Sequence, residues 1–225
     1  MITILIPRTD ELIARVAAVN PNTVVVLQTG SAVTMPWLSA VKGVVHAFYL
    51  GNQCGAGIAS ILYGKANPSG RLSLTMPKRE EDVPAYPDFK SARTQVHYSE
   101  GVWVGYKWYN MRKIQPLFPF GHGLSYTTFS YSDLSLTAPT ETTKIADDWK
   151  ASVQVTVTNT GDRQGSHSVH VYLSPPKETD VSLKHPEYSL QGFDKVYNLN
   201  PGESKRVKIE LDKCALLAVF SFYPS

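Results

Sequence analysis

The hydrophobic pattern of this 225-residue chain changes period part-way along, and one repeating architecture cannot hold both halves. Beyond residue 150, Val153, Val155 and Val157 alternate with Gln154, Thr156 and Thr158. Val169, Val171 and Leu173 alternate with Ser168, His170 and Tyr172, and Val207, Ile209 and Leu211 with Arg206, Lys208 and Glu210. A period of two places the apolar side chains on one face of a strand. Turn sequences at Asn159-Thr160-Gly161-Asp162 and Asn200-Pro201-Gly202 separate these runs, and the combination predicts a β-sandwich. Before residue 64 the pattern is that of alternating helix and strand. Thr9 is placed to cap a helix over 10–19, with Leu12, Ile13, Val16 and Ala17 on one face and Asn20-Pro21-Asn22 as its stop. Thr23–Leu27 and Val44–Tyr49 are apolar runs of the kind found in parallel strands covered on both faces. A helical turn over 34–41 and a helix from Gly55 to Tyr63 complete a layered α/β pattern.

Between these halves, residues 64–130 are irregular. Asn67-Pro68-Ser69-Gly70 is a turn signal, and Pro77, Pro84, Pro87, Pro116 and Pro119 forbid long regular elements. Aromatic residues are dense here (Tyr98, Trp103, Tyr106, Trp108, Tyr109, Phe118, Phe120, Tyr126, Phe129), so the stretch is expected to wrap the α/β layer. Residues 137–148 are polar and read as a linker. The expected division is therefore a partial α/β domain over 1–136 and a sandwich over 137–225.

Composition narrows the function classes. Hydrophobic content of 43% with 18% charged residues excludes a disordered chain. A net charge of +3 lacks the dense basic face of a nucleic-acid binder, so no nucleic-acid partner is expected. No 18-residue apolar run occurs, so no membrane association is expected, and the apolar start Met1–Pro7 is too short for a signal peptide. Cys54 and Cys214 read as reduced structural thiols, and Asn67-Pro68-Ser69 is blocked as a glycosylation acceptor by its proline. These features point to a cytoplasmic protein, or an extracellular one if a signal peptide lies upstream.

No complete active site emerges from residue patterns. Gly55-X-Gly57-X-X-Ser60 resembles a dinucleotide fingerprint between strand and helix, but no acid ends a following strand, and a structural helix-opening turn is the preferred reading. A nucleotide-binding α/β protein stays as an alternative resting on Gly55 and Gly57. His167 and His170 are three apart on a strand, hence on opposite faces, and no metal site is expected. Cys54 near a helix start has no visible base partner. Glu100, among aromatics in Tyr98-Ser99-Glu100-Gly101-Val102-Trp103, has the surroundings of a general acid. The preferred reading is a buried Glu that accepts from loop amides or pairs with Arg112 or Lys107. Asp147-Asp148-Trp149 reads as solvated. No catalytic, substrate-binding, cofactor-binding or metal residue is assigned, and no cofactor is expected.

Several segments together resemble glycoside hydrolase family 3 in its β-glucosidase branch. They are Val19–Val26, Met35-Pro36-Trp37, Gly51-Asn52, Asn67–Leu72, Thr75-Met76-Pro77, Tyr98–Gly101, Gly105-Tyr106-Lys107 and, most specifically, Pro116–Tyr126. Val157–Gly161, Leu190–Phe193 and Leu199–Gly202 extend the likeness through the sandwich, from about residue 7 to 215. The resemblance implies the later part of an α/β sandwich domain followed by a fibronectin type III-like domain. It also implies retaining hydrolysis of terminal non-reducing β-D-glucosyl residues of a β-glucoside or oligosaccharide, by two carboxylates roughly 5 Å apart. Both carboxylates would lie upstream of Met1. Asp148-Trp149 shares two letters with the family's nucleophile motif but sits in the wrong domain. The resemblance thus implies a C-terminal fragment, inactive alone, with an uncovered face on the helix at 10–19. An open sandwich edge is expected to be prone to self-association. The alternative from another class is a non-catalytic carbohydrate-binding or interaction module, motivated by the aromatic stretch.

Overall fold

The chain's structure, a computed structural model, describes residues 8–89, 97–138, 151–174 and 185–211. Its contacts form two units. One is Met1–Ala66 with Leu72–His122, the other Asn67–Arg71 with Gly123–Ser225. The division thus falls at His122/Gly123 rather than at 136/137, and the Asn67–Arg71 segment joins the second unit.

The first unit opens with helix α1 (Thr9–Val19), whose first turn carries Asp10 and Glu11, the charge that suits a helix N-terminus. Thr9 is the first helical residue rather than the cap. Arg8 occupies the cap position in left-handed backbone, with no side-chain capping bond. The Asp10 carboxylate instead accepts a 2.7 Å hydrogen bond from Trp37 Nε1, tying the helix to the loop after the first strand. The four apolar residues expected on one face divide. Ala17 is buried and Ile13 packs on the core, whereas Leu12 is 62% exposed and Val16 is exposed, as is Val19 beyond them at 84%. The uncovered helix face expected from the sequence is therefore present. Strands β1 (Val24–Leu27) and β2 (Gly43–His46) pair parallel, Val24 opposite Gly43 through Leu27 opposite His46. They are less covered than their apolar runs suggest. Only Leu27 is buried, because an apolar run reports the capacity for burial rather than the presence of a cover.

A 3₁₀ turn (Leu38–Ala40) lies between these strands, and helix α2 (Cys54–Leu62) follows them. The irregular stretch then returns to the same core. Leu27, Val33, Met35, Trp37 and Met76 are buried together, with Leu72, Leu74, Leu117 and Phe118 packed on them. Met76 N donates to Phe118 O (2.8 Å) and Leu117 N to Met76 O (2.9 Å). Leu72 N donates to His122 O (2.8 Å) and Gly121 N to Leu72 O (2.7 Å). These bonds pair two parts of the proline-rich stretch with each other without a regular sheet, and it is their apolar side chains that pack on the α/β core. A 3₁₀ turn (Glu80–Asp82) and short helices α3 (Tyr86–Phe89) and α4 (Tyr106–Arg112) complete the unit.

The second unit has two antiparallel sheets. Strands β3 (Phe129–Thr137), β4 (Ala151–Asn159) and β7 (Ser204–Leu211) form one in the order β3-β4-β7; β5 (Gly165–Leu173) and β6 (Ser189–Leu199) form the other. The alternating valines do what their period requires. Val155, Val157, Val169, Val171, Val207, Ile209 and Leu211 are buried in one core with Val196 and Leu199. Asn159, fully buried, ends β4 with its amide saturated. Oδ1 accepts from Thr127 Oγ1 (2.7 Å) and Gly161 N (3.1 Å). Nδ2 donates to Arg163 O (2.7 Å) and Leu199 O (2.9 Å). Gly161 lies so close to Thr127 that a Cβ would come 2.3 Å from its hydroxyl oxygen, so the turn requires glycine there.

Candidate functional site

Because β1 and β2 run parallel, their carboxyl ends share one edge, the position where open parallel sheets gather ligand-binding groups. Thr29, just past β1, is buried and donates its hydroxyl hydrogen to Ser31 O at 3.2 Å. Its oxygen lies 3.1 Å from Nε2 of His46, the last residue of β2. With the hydroxyl hydrogen committed to Ser31, Nε2 is the donor in that contact, so Nδ1 carries the lone pair of the neutral ring. Nδ1 is buried without a hydrogen-bond partner, and burial lowers the His46 pKa, which keeps the ring neutral. Phe48 packs edge-on against it at 4.1 Å between centroids and adopts left-handed backbone (φ 53°). Tyr49 is 81% exposed, and its ring passes over Gly30 so closely that a Cβ there would sit 2.3 Å from it. This edge offers a hydroxyl, a neutral imidazole and an exposed phenol ring, with no carboxylate among them. Sequence reasoning did not single it out; the available signal was a histidine ending an otherwise apolar strand.

The residues weighed from sequence fall in separate places. Gly55 and Gly57 lie inside α2, where an added Cβ meets nothing within 4 Å. A phosphate-cradling turn needs glycine for close backbone approach, which is not the situation at either position. Ser60 spends its hydroxyl on Ala56 O (2.8 Å) within the helix. Cys54, free and half-buried, is the first residue of that helix; Cys214 lies outside the described residues. Asp147, Asp148 and Trp149 also lie outside them.

Glu100 departs from the pairing expected of it. Its Oε2 is buried with no hydrogen-bond partner, and its backbone carbonyl accepts from Trp103 N at 2.9 Å. Arg112 lies over the Trp108 ring at 5.3 Å instead. The buried acid that does find a cation is Asp82, which accepts from Arg79 Nη2 (2.7 Å) and Arg79 N (3.2 Å). Trp108 Nε1 donates to the Asp82 carbonyl at 3.0 Å. Nearby Tyr109 is buried with its hydroxyl unpartnered; burial first and the Asp82 charge second push its pKa up to about 12.

His167 and His170 share β5 and the field of Arg71, but not their ring contacts. His167 takes Arg71, Phe129 and Tyr131 as neighbours, and His170 packs edge-on towards Tyr172. Sequence reasoning treated His167 only as a metal candidate and missed this cluster, because its partners come from residues 96 and 36 positions away.

A parallel α/β layer with an irregular wrap, followed by a fibronectin-like sandwich, defines a recognisable two-part class. Residues 2–126 match the glycosyl hydrolase family 3 C-terminal domain, and residues 167–221 match the fibronectin type III-like domain. The chain belongs to glycosyl hydrolase family 3. It is 50% identical over 204 residues to a probable β-glucosidase I of Aspergillus clavatus, covering 91% of this chain and 24% of that protein. It is 49% identical over 208 residues to the corresponding protein of Aspergillus flavus, again covering 24% of it. Among solved structures it resembles DesR, a β-glucosidase from Streptomyces venezuelae in complex with D-glucose. That likeness has a TM-score of 0.84 and 37% identity, and covers 93% of this chain and 26% of that one. It also resembles a β-glucosidase from Kluyveromyces marxianus in complex with glucose (TM-score 0.82, 42% identity, 94% and 24% covered). The chain therefore spans about a quarter of the length of the curated relatives it matches.

Proposed function

We propose that this chain serves as the C-terminal, non-catalytic part of a retaining β-glucosidase acting on terminal non-reducing β-D-glucosyl residues. The observation that carries the reading is a likeness that runs through both units yet spans a quarter of the relatives. The two carboxylates that retention needs, roughly 5 Å apart, are assigned to the remainder of such an enzyme. The chemistry of the first unit supports this. Asp82 is paired with Arg79, and the groups at the carboxyl edge of the sheet are neutral ones. In the whole enzyme both units would serve as structure rather than as the source of the catalytic groups. The 225-residue chain is expected to release no nitrophenol from p-nitrophenyl β-D-glucoside above the uncatalysed rate. Release that Glu100→Gln abolishes would overturn both the inactivity and the structural reading of Glu100.

A second reading, a carbohydrate-binding module, draws on exposed rings at Tyr49, Tyr98, Phe193 and Tyr197, since aromatic faces stack on sugars. Titration calorimetry with cello-oligosaccharides separates the two. Heat at millimolar ligand favours the module, and none favours the structural role.

Self-association belongs to the same proposal. Within the described residues β7 and β3 are the outer strands of their sheet, and β3 exposes Tyr131, Leu134 and Leu136. Such edges recruit further strands. Light scattering is expected to show dimers or larger species, and a monodisperse monomer would remove the proposal.

A further inference from the structure

The Asn67–Arg71 segment leaves the first unit after Ala66, joins the second, and the chain re-enters the first at Leu72. Its two ends are fastened differently. At Asn67, Nδ2 donates to Gln164 O (2.9 Å), and Oδ1 accepts from Ser125 Oγ (2.9 Å) and Tyr126 N (2.8 Å). None of these groups titrates near neutral pH. At Arg71, Nη2 lies 3.1 Å from His167 Nδ1, and His167 Nε2 lies 2.5 Å from the Tyr131 hydroxyl on β3.

The tautomer follows from the partners. A guanidinium has donors only, so Nδ1 must accept, and the proton of the neutral ring is on Nε2, where it donates to the Tyr131 oxygen. The ring is further held by Phe129 at 4.6 Å between centroids. We propose that His167 is an acid-sensitive latch, its neutral ring bridging Arg71 of the connecting segment to the edge strand β3. Protonation adds an N–H at Nδ1 that points at Arg71, replacing a hydrogen bond by two opposed donors and two like charges. The Tyr131 bond survives, so release is confined to the Arg71 end, and the Asn67 end stays fastened.

The titratable and charged groups facing His167 all act in one direction. Arg71 from the connecting segment and His170 from the same strand disfavour a second positive charge. Tyr131 on β3, half exposed overall, has its pKa raised further above its ordinary alkaline value and is a neutral phenol throughout this range, and Val196, opposite His167 on β6, is apolar. Among the described residues no carboxylate is bonded to Arg71 or His167. Burial first, then Arg71 and His170, lower the His167 pKa to about 4 from 6.5. Below 6.5 the unfolded chain binds a proton that the folded one refuses, so this group withdraws stability as pH falls from 6.5 to about 4, where the latch itself protonates.

Nuclear magnetic resonance of the 225-residue chain tests this. At pH 6.5 the His167 ring is expected to show a protonated Nε2, an unprotonated Nδ1 and Overhauser contacts to the Arg71 side chain. Those contacts are expected to vanish with a midpoint near pH 4 while the cross-strand contacts of β4 and β7 persist. Arg71→Gln keeps a donor and removes the charge, so the His167 midpoint is expected to rise by half a pH unit or more. Titration of His167 near 6.5, the opposite tautomer, an unmoved midpoint in Arg71→Gln, or loss of the whole unit together with the Arg71 contact would each overturn the latch.

Discussion

The two units treat buried polar groups in opposite ways. In the second, Asn159 is wholly buried and spends all four of its hydrogen-bonding positions on named partners. In the first, the Tyr109 hydroxyl, Glu100 Oε2, Thr75 Oγ1 and His46 Nδ1 are buried without one. Within the first unit helix α1 also leaves apolar surface open, burying Ala17 but exposing Leu12, Val16 and Val19. A satisfied polar network fixes a sheet in one register, whereas an unpaired buried group withdraws ~1–3 kcal/mol from the unit that holds it. Among the described residues the sandwich thus satisfies the polar group at its centre while the α/β unit does not, and the α/β unit is expected to open more readily.

The largest expected effect lies on the satisfied side. Asn159→Leu strands the Thr127 hydroxyl, the Gly161 N–H and two carbonyls at once, and should cost the second unit ~3 kcal/mol or more. Urea unfolding of the variant against the parent chain measures it; a loss below ~1 kcal/mol would break the comparison.

On the unsatisfied side the sign reverses. Tyr109→Phe removes a buried hydroxyl that bonds to nothing, and should stabilise the first unit by ~1 kcal/mol. The same residue gives an alkaline signature. Its folded pKa is about 12 against an ordinary 10, so between those values the unfolded chain releases a proton that the folded chain keeps. Stability of the first unit therefore falls as pH rises from 10 towards 12, and the Phe variant should flatten that slope. Melting temperatures across this window distinguish the two chains.

The smallest effect concerns α2. Gly55→Ala and Gly57→Ala each place a methyl group in open space within a helix and should add ~0.5–1 kcal/mol. A loss on either substitution would indicate a close approach at that turn and revive a ligand role for it.

The sandwich core was legible because Val155, Val157, Val169, Val171, Val207 and Ile209 follow a period of two without interruption. Strands β3 and β6 were not read as strands. In β3 the register shifts between Ser132 and Ser135, with Asp133 in left-handed backbone, so the alternation breaks: Phe129 packs on the core while Tyr131, Leu134 and Leu136 lie exposed. In β6 Gly192 and two register shifts in its pairing with β5 break the alternation, so Val196 and Leu199 are buried while Phe193 and Tyr197 are exposed. In the first unit the element types were readable, but burial was not. The apolar residues of α1 occupy a wider arc than the core covers, and nothing in the sequence says which half of that arc is covered. The Arg71–His167–Tyr131 cluster and the Thr29–His46 contact were invisible for a plainer reason. Each joins residues distant in sequence through side chains that carry no motif.

Native-state amide hydrogen exchange on the 225-residue chain tests the central contrast most directly, because it reads local opening unit by unit. The account predicts that amides of α1, β1 and β2 exchange at least tenfold faster than those of β4, β5 and β7 after correction for intrinsic rates. It also predicts that Tyr109→Phe slows the first group without changing the second. Equal protection in both units, or greater protection in the first, would contradict it.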